Sequence, residues 1–482
     1  MSTPTAVTTL LKGTIVSLDD EIGDIENGAV AVDGDTIVAV GTISDIMTRY
    51  VAATVVDVPD AVIMPGMIDG HTHTAQSLVR GLIANELPMI FRLYVPAMQA
   101  LDARGAGLSA KLAAAQLLRS GVTTICEGAV GYSPEAEAAV IAAFEEAGIR
   151  VMLSRGSGDQ DFHHAALYSQ ITERSWFKKR EGEALMDLAR TRALLERHPT
   201  DGSSLVNIAI CSSSLLDFSS EYFAAAADLA EEFDAKLHVH LSRDREEVEF
   251  CLAAFGRRPI EHLDHLGYVN ERLVAAHCML ASEPEIEMLR RGGASLAHSP
   301  IECLNILNAV PAIQRFRAAG IKVALGCDNA VNDMWETMRA VWLMQATARG
   351  LPAYDPSHVT ETDILTMATR EAANALGMGR HIGRIVPGLK ADLVVLDGSG
   401  AHMFPRQSLL AELVRYGTRA EVNTVMIGGR IVVENAVHTT IDLAKLRADT
   451  AGFADRIREL VEPRRYQATS TRWRIAGCCG WR

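Results

Sequence analysis

Residues 62–73 read VIMPGMIDGHTH: an apolar run interrupted by Pro65 and Gly66, then an acid, a glycine and two histidines spaced two apart. A short apolar run bounded by turn residues has the form of a strand buried on both faces of a parallel sheet. Seven more follow: TTICEG (123–128), RVMLSRG (150–156), VNIAICS (206–212), KLHVHLS (236–242), LVAAHCM (273–279), ASLAHSP (294–300) and KVALGCD (322–328). Between most of them lie Ala/Leu/Glu-rich stretches with helical spacing, such as SPEAEAAVIAAFEEAG (133–148) and SEYFAAAADLAEEFDA (220–235). Strands alternating with helices predict parallel βαβ units, and eight of them predict an α/β fold of the closed (β/α)8 TIM-barrel type over 62–384. The long interval after the first run, 72–122, must then hold extra helices or a loop over the barrel mouth.

The flanks differ in texture. LLKGTIVSLDD (10–20), GAVAVDGDTIVAVG (28–41) and ATVVDV (53–58) alternate apolar and polar residues between Asn-Gly and Asp-Gly turns, and KADLVVLDGSG (390–400) and VNTVMIGGRIVVENAVH (422–438) do the same. Two β-rich ends predict one composite β-sandwich built from 1–61 and 385–440. Residues 441–482 remain as a C-terminal helix and a basic tail, whose arginines 464, 465, 472, 474 and 482 are read as an unpacked terminus.

The chain has 482 residues, 46 basic and 60 acidic, for a formal charge of −14. A field of that sign does not gather nucleic acid or an anionic membrane surface, so the expected partner is a small-molecule substrate. Hydrophobic residues at 48% and charged ones at 22% exclude a disordered chain. The eight cysteines form no CxxC pair, which argues against a disulfide framework or a cysteine zinc site and fits a reducing, cytoplasmic setting. The start, MSTPTAVTTL, has no basic segment before an apolar core, and no apolar run approaches the roughly 18 residues of a membrane span, so neither a signal peptide nor a span is expected.

A barrel carries its working groups at the C-terminal ends of its strands. Those ends hold His71 and His73, then His240, His277, His298 and Asp328, which account for five of only 15 histidines. The period of two in His71-Thr72-His73 turns both imidazoles to one side, where they converge on one ion. His240 adds a third nitrogen and Asp328 an oxygen. This donor set suits one divalent metal per subunit, zinc first, with iron, manganese or cobalt as alternatives, and leaves a position for water. Asp328 is placed to take a proton from that water, and His277 to polarise the substrate. His238 makes a second HxH with His240, although both cannot be ligands of a single ion.

The run MPGMIDGHTHTAQSLVRG (64–81) closely resembles the first-strand signature of the metal-dependent amidohydrolase superfamily. KLHVHLS, VAAHCM, SLAHSP and VALGCDN resemble its later strand signatures in the same order, and GRIVPGLKADLVVLD (383–397) is similar to the segment that closes the barrel and re-enters the sandwich. Within the superfamily the chain looks most like the cytosine-deaminase-like group, which contains chlorotriazine hydrolases and methylthioadenosine/adenosylhomocysteine deaminases. The resemblance implies a distorted barrel, a composite β-sandwich, one metal on His71, His73, His240 and Asp328, and a homodimer or homotetramer. Two-metal members usually carry a bridging lysine on strand four; SLVNIAICSSS (204–214) has none.

One position departs from the pattern. In deaminases of this group the residue three after the strand-five histidine is a glutamate that shuttles a proton to a ring nitrogen. Here it is Arg243, which stays protonated and cannot act as an acid–base group. Asp244, Glu246, Glu247 and Glu302 are candidate substitutes. The expected reaction is hydrolysis of a non-peptide C–N bond in a small organic or heterocyclic compound. Deamination or dechlorination of a purine, pyrimidine or s-triazine competes with amide, urea or (thio)carbamate hydrolysis, and Arg243 favours the latter. A non-catalytic scaffold is a remote third reading. Asp333, Trp335 and Glu336 after the last strand, and Met89, Phe91 and Tyr94 in ANELPMIFRLYVPAMQ (84–99), are candidate substrate contacts.

Overall fold

A computed structural model describes residues 4–81, 97–98, 100–130, 133–156, 160–162, 177–179, 181–306, 309–328, 331–355 and 359–461. The chain opens with four strands, β1 (Thr5–Ile15), β2 (Ile25–Asp33), β3 (Thr36–Thr42) and β4 (Tyr50–Pro65). Barrel strands follow as β5 (Met67–Thr72), β6 (Val122–Val130) and β7 (Arg150–Gly156), with a small antiparallel pair, β8 (Gln160–Phe162) and β9 (Phe177–Lys179), after them. The barrel resumes with β10 (Val206–Ser214), β11 (Leu237–Leu241), β12 (Leu273–His277), β13 (Ser295–His298) and β14 (Val323–Leu325). The chain then re-enters the first sheet through β15 (Leu393–Leu396), β16 (Val422–Ile427), β17 (Arg430–Glu434) and β18 (Val437–His438).

The eight barrel strands pair in the order β14-β13-β12-β11-β10-β7-β6-β5. Each adjacent pair is parallel, and a parallel bridge between Thr72 and Asp328 brings the two ends together. Helices flank the strands as their spacing predicts. The stretch after Ser133 is a helix, Pro134–Ala147, because the Ser133 hydroxyl accepts from the Ala136 N–H and Gly148 ends it in the left-handed conformation. The second sheet runs β18-β17-β16-β15-β4-β1-β2-β3, so strands from both chain ends share it. It is tied to the N-terminal rim of the barrel by Arg150, whose guanidinium clasps Asp392 with two bonds, Nε–Oδ2 2.8 Å and Nη2–Oδ1 2.9 Å.

The expected first barrel strand, 62–68, is divided between the two sheets. Val62–Pro65 belongs to β4 and pairs with Leu393–Leu396, and the barrel strand begins only at Met67. Gly66 makes the crossing: a Cβ there would lie 2.1 Å from Thr123 Oγ1, so no larger residue fits. In the interval 72–122 the described residues form a short 3-10 turn, Thr74–Leu78, and the helix Ala103–Arg119. Met89, Phe91 and Tyr94 lie outside the described residues, as does the basic tail. The expected C-terminal helix is Leu443–Val461, with Phe453 and Ile457 packed against Leu78 and Val79. No helix among the described residues is long and apolar enough to cross a membrane.

Two apolar layers matter for the site. The larger fills the space between strands and helices. The smaller fills the barrel's interior with Ile68, Cys126, Met152, Ala209, Val274, Ala276, Ala297 and Ala324, closed by Leu376 and Met378. Seven of the eight strands send an apolar or thiol side chain into this layer; β11 contributes His238 instead.

Candidate metal centre

Above that layer the strand ends bring His71, His73, His240, His277 and Asp328 together, all buried except the half-buried His73. The backbone is bent to aim them. His277 (φ 72°) and Asp328 (φ 56°) both sit in the left-handed region, which costs non-glycine residues about 1–3 kcal/mol each and persists only where the surroundings impose it. For Asp328 the restraint is explicit: its N–H donates to His71 O at 2.9 Å and its carbonyl accepts from Thr72 Oγ1 at 3.0 Å. Asp69 adds a further tie, its Oδ1 accepting from the N–H of Cys327 (2.9 Å) and of His71 (3.3 Å), so one buried carboxylate clamps both ligand-bearing strands. Burial pushes the Asp69 carboxyl up to about 7.

The donor atoms have the spacing of ligands to one ion. His73 Nε2 and His240 Nε2 are 3.3 Å apart, and His71 Nε2 and Asp328 Oδ2 are 3.4 Å apart. Two ligands about 2.1 Å from a tetrahedral zinc are separated by about 3.4 Å. His73 Nδ1 lies 3.0 Å from the carbonyl of Gly128, to which it donates, so its Nε2 presents a lone pair. His71 Nε2 is a buried nitrogen with no hydrogen-bond partner among the described residues. Burial, before any neighbouring charge, drives His71, His240 and His277 well below the usual imidazole range, so they are neutral and competent as ligands. These residues fit a divalent cation. His277 Nε2 stands 3.7 Å from Asp328 Oδ2, and His71, His277 and Asp328 form a second ligand-spaced triad beside His71, His73 and His240.

The other predicted residues separate into two groups. Arg243 is 5% exposed and lies within electrostatic reach of His71, His240 and His277. It is paired with Asp244, Nε to Oδ2 2.7 Å, while Asp244 Oδ1 caps the helix Arg245–Phe255 through the Glu247 N–H at 2.9 Å. Glu247 accepts from the Arg243 N–H, and burial with the Asp244 charge lifts its carboxyl to about 8. Asp244 and Glu247 therefore support Arg243 and the helix start. Glu302 is buried at the start of the helix Pro300–Ile306, which follows the β13 strand end.

Asp333 and Trp335 serve the scaffold. Asp333 caps the helix Met334–Gln345, accepting from the Trp335 N–H at 3.0 Å, and Trp335 is buried against Gly417, where an added Cβ would approach its ring to 2.8 Å. His298 is buried with neither ring nitrogen partnered among the described residues, and burial alone lowers it to about 3; it does not join the cluster. Three contributors were not foreseen from sequence: Asp69, Gly128 and His238. Only the HxH spacing of His238 offered a signal.

A parallel eight-stranded barrel with three imidazoles and a carboxylate converging at the C-terminal strand ends defines a metal-dependent barrel hydrolase. Residues 62–432 match the model of the amidohydrolase family. The chain belongs to that family and is a hydrolase acting on carbon–nitrogen bonds. It is 31% identical over 440 residues to a 5-methylthioadenosine/S-adenosylhomocysteine deaminase of Syntrophobacter fumaroxidans, covering 88% of this chain and 92% of the relative. A deaminase of the same description from Pelotomaculum thermopropionicum is 29% identical, covering 93% and 98%. Among solved structures, an adenosine deaminase from Xanthomonas campestris with bound zinc superposes with a TM-score of 0.84 at 27% identity, covering 95% of this chain and all of that one. An atrazine chlorohydrolase from Arthrobacter aurescens complexed with zinc shares the fold, with a TM-score of 0.78 at 22% identity over 93% of this chain and 100% of that one.

Proposed function

We propose that the protein binds one zinc ion through His71, His73, His240 and Asp328 and uses it to hydrolyse a C–N bond at a planar carbon of a small nitrogen-rich compound. The observation that carries this reading is the convergence of three imidazole nitrogens and one carboxylate at ligand spacing. His71, His73, His240 and Asp328 would hold a divalent ion, which would supply an activated water and a Lewis acid for the substrate. Asp328 accepts the proton of the attacking water and returns it to the departing nitrogen. His277, with Nε2 3.7 Å from Asp328 Oδ2, offers a hydrogen bond to the oxygen that gains charge on the attacked carbon.

The relatives' printed activities make deamination of an adenine-type heterocycle the first substrate class to test. A second reading, hydrolysis of an amide, urea or (thio)carbamate, is favoured by the Arg243–Asp244 pair. That pair puts a neutralised cation where a ring-protonating glutamate stands in the deaminases, and an acyl-type C–N bond needs no ring protonation. The test measures ammonia release from adenosine, 5′-methylthioadenosine and S-adenosylhomocysteine beside amine release from aryl ureas and carbamates, for the zinc-loaded protein and its Asp328→Asn variant. Turnover in either series that Asp328→Asn abolishes is expected; no turnover in both series sinks the proposal. Arg243→Glu separates the readings, since ammonia release should rise relative to urea cleavage if Arg243 marks the change of chemistry.

A further inference from the structure

The interior layer beneath the ligands contains one histidine among apolar side chains, and both of its nitrogens face named atoms. His238 Nε2 is 3.1 Å from His71 Nδ1, and His238 Nδ1 is 3.7 Å from the Cys126 sulfur. All three residues are buried. A neutral imidazole carries one proton, so this chain of contacts has two directions. If His238 Nε2 carries its proton, it donates to His71 Nδ1, and His71 must carry its own proton on Nε2, where the lone pair for an ion should be. If His71 Nδ1 carries the proton, it donates to His238 Nε2, His71 Nε2 is free to ligate, and His238 Nδ1–H points at the thiol.

We propose that His238, backed by Cys126, is a positioning residue that selects the ligating tautomer of His71 and fixes its ring, and that this is why a polar residue occupies the apolar barrel layer. The inference rests on the assignment of His71 as a ligand. Its energetic logic is that of outer partners of metal-bound imidazoles, which are carboxylates, carbonyls or waters in most sites and whose loss costs about 10–100-fold in metal affinity. A neighbouring imidazole does the same work here without adding a charge to a buried site. The sulfur is a weak acceptor, and it is the atom that His238 Nδ1 faces in this buried layer.

The test compares two substitutions of equal length. His238→Gln keeps an acceptor near the position of Nε2; His238→Met fills the same space without one and suits the apolar layer. Zinc affinity is measured on metal-stripped protein by competition with a chelating dye, thermal unfolding is followed on the apo forms, and the visible spectrum of the cobalt-loaded forms reports ligand geometry. The expected result is a 10–100-fold weaker zinc affinity and an altered cobalt spectrum for His238→Met, an apo melting temperature equal to or above wild type, and near-wild-type affinity for His238→Gln. Equal affinity in all three proteins overturns the proposal. So does failure of His238→Met to fold, or a loss in His238→Gln as large as in His238→Met, since either makes His238 a packing residue. His71→Ala is the control: if it too binds zinc normally, the ligand assignment is at fault, and the relay falls with it.

Discussion

Gly128 follows the second barrel strand's interior Cys126 by two residues, and a methyl group placed there strikes a ligand. An added Cβ would stand 2.6 Å from His73 Cε1 and 2.8 Å from Nδ1. Ordinary contact begins near 3.4 Å, so the imidazole must retreat by about 0.8 Å. Ligand distances in a metal site tolerate about 0.2 Å. The same movement breaks the 3.0 Å bond from His73 Nδ1 to the Gly128 carbonyl that holds the ring's tautomer. Gly128 is not in the left-handed region, so Gly128→Ala brings no backbone strain of its own. Zinc affinity should therefore fall by about 10–100-fold, equivalent to about 1.4–2.7 kcal/mol. Chelator competition on stripped protein reads this directly, and at saturating zinc a residual loss of about 100-fold in kcat/KM is expected from misplacement. The apo melting temperature should be nearly unchanged, because the atoms struck belong to a half-buried side chain rather than to backbone. Wild-type affinity in Gly128→Ala would refute the placement of His73 against β6, and with it the ligand geometry.

Two further outcomes follow from groups away from the centre. Arg150→Ala leaves Asp392 buried without its bidentate partner, an effect worth about 3–5 kcal/mol; denaturant unfolding should show it while zinc content per folded chain stays at the wild-type level. Glu247→Gln tests the buried acid beside Arg243. Its carboxyl is lifted to about 8 in the folded state from an ordinary 4.5, so the folded chain keeps a proton that the unfolded chain releases. Stability from this group is present below 4.5 and lost as pH rises towards 8. The variant should accordingly gain stability over wild type between pH 5 and 8 and hold that gain above it; a difference flat across the range contradicts the raised value.

Much of this architecture is legible in the chain because burial on both faces leaves so few options. Runs such as RVMLSRG and LVAAHCM can only be interior strands, and helices such as Pro134–Ala147 are announced by a serine cap and a terminal glycine. The ligands are legible for a related reason: a histidine at the polar end of an apolar run has little to do except face the mouth. What the pattern hides depends on distant adjacency. The division of VIMPGMI between two sheets turns on Thr123 lying against Gly66. Asp69 reads as an ordinary turn acid until Cys327 is seen to donate to it across 258 positions. His238 reads as a competing ligand until His71 and Cys126 are found at its two nitrogens. Asp333 and Trp335 read as pocket residues because they follow Asp328, yet a helix begins between them and turns one into a cap and the other into core.

The central claim is that one ion sits among His71, His73, His240 and Asp328. Anomalous diffraction from zinc-loaded crystals, collected on both sides of the zinc absorption edge, tests it without reference to any substrate. The account predicts a single peak per chain about 2.0–2.2 Å from the Nε2 atoms of the three histidines and from an Asp328 oxygen. Two peaks, a peak elsewhere, or none in protein that holds a full equivalent of zinc would contradict it.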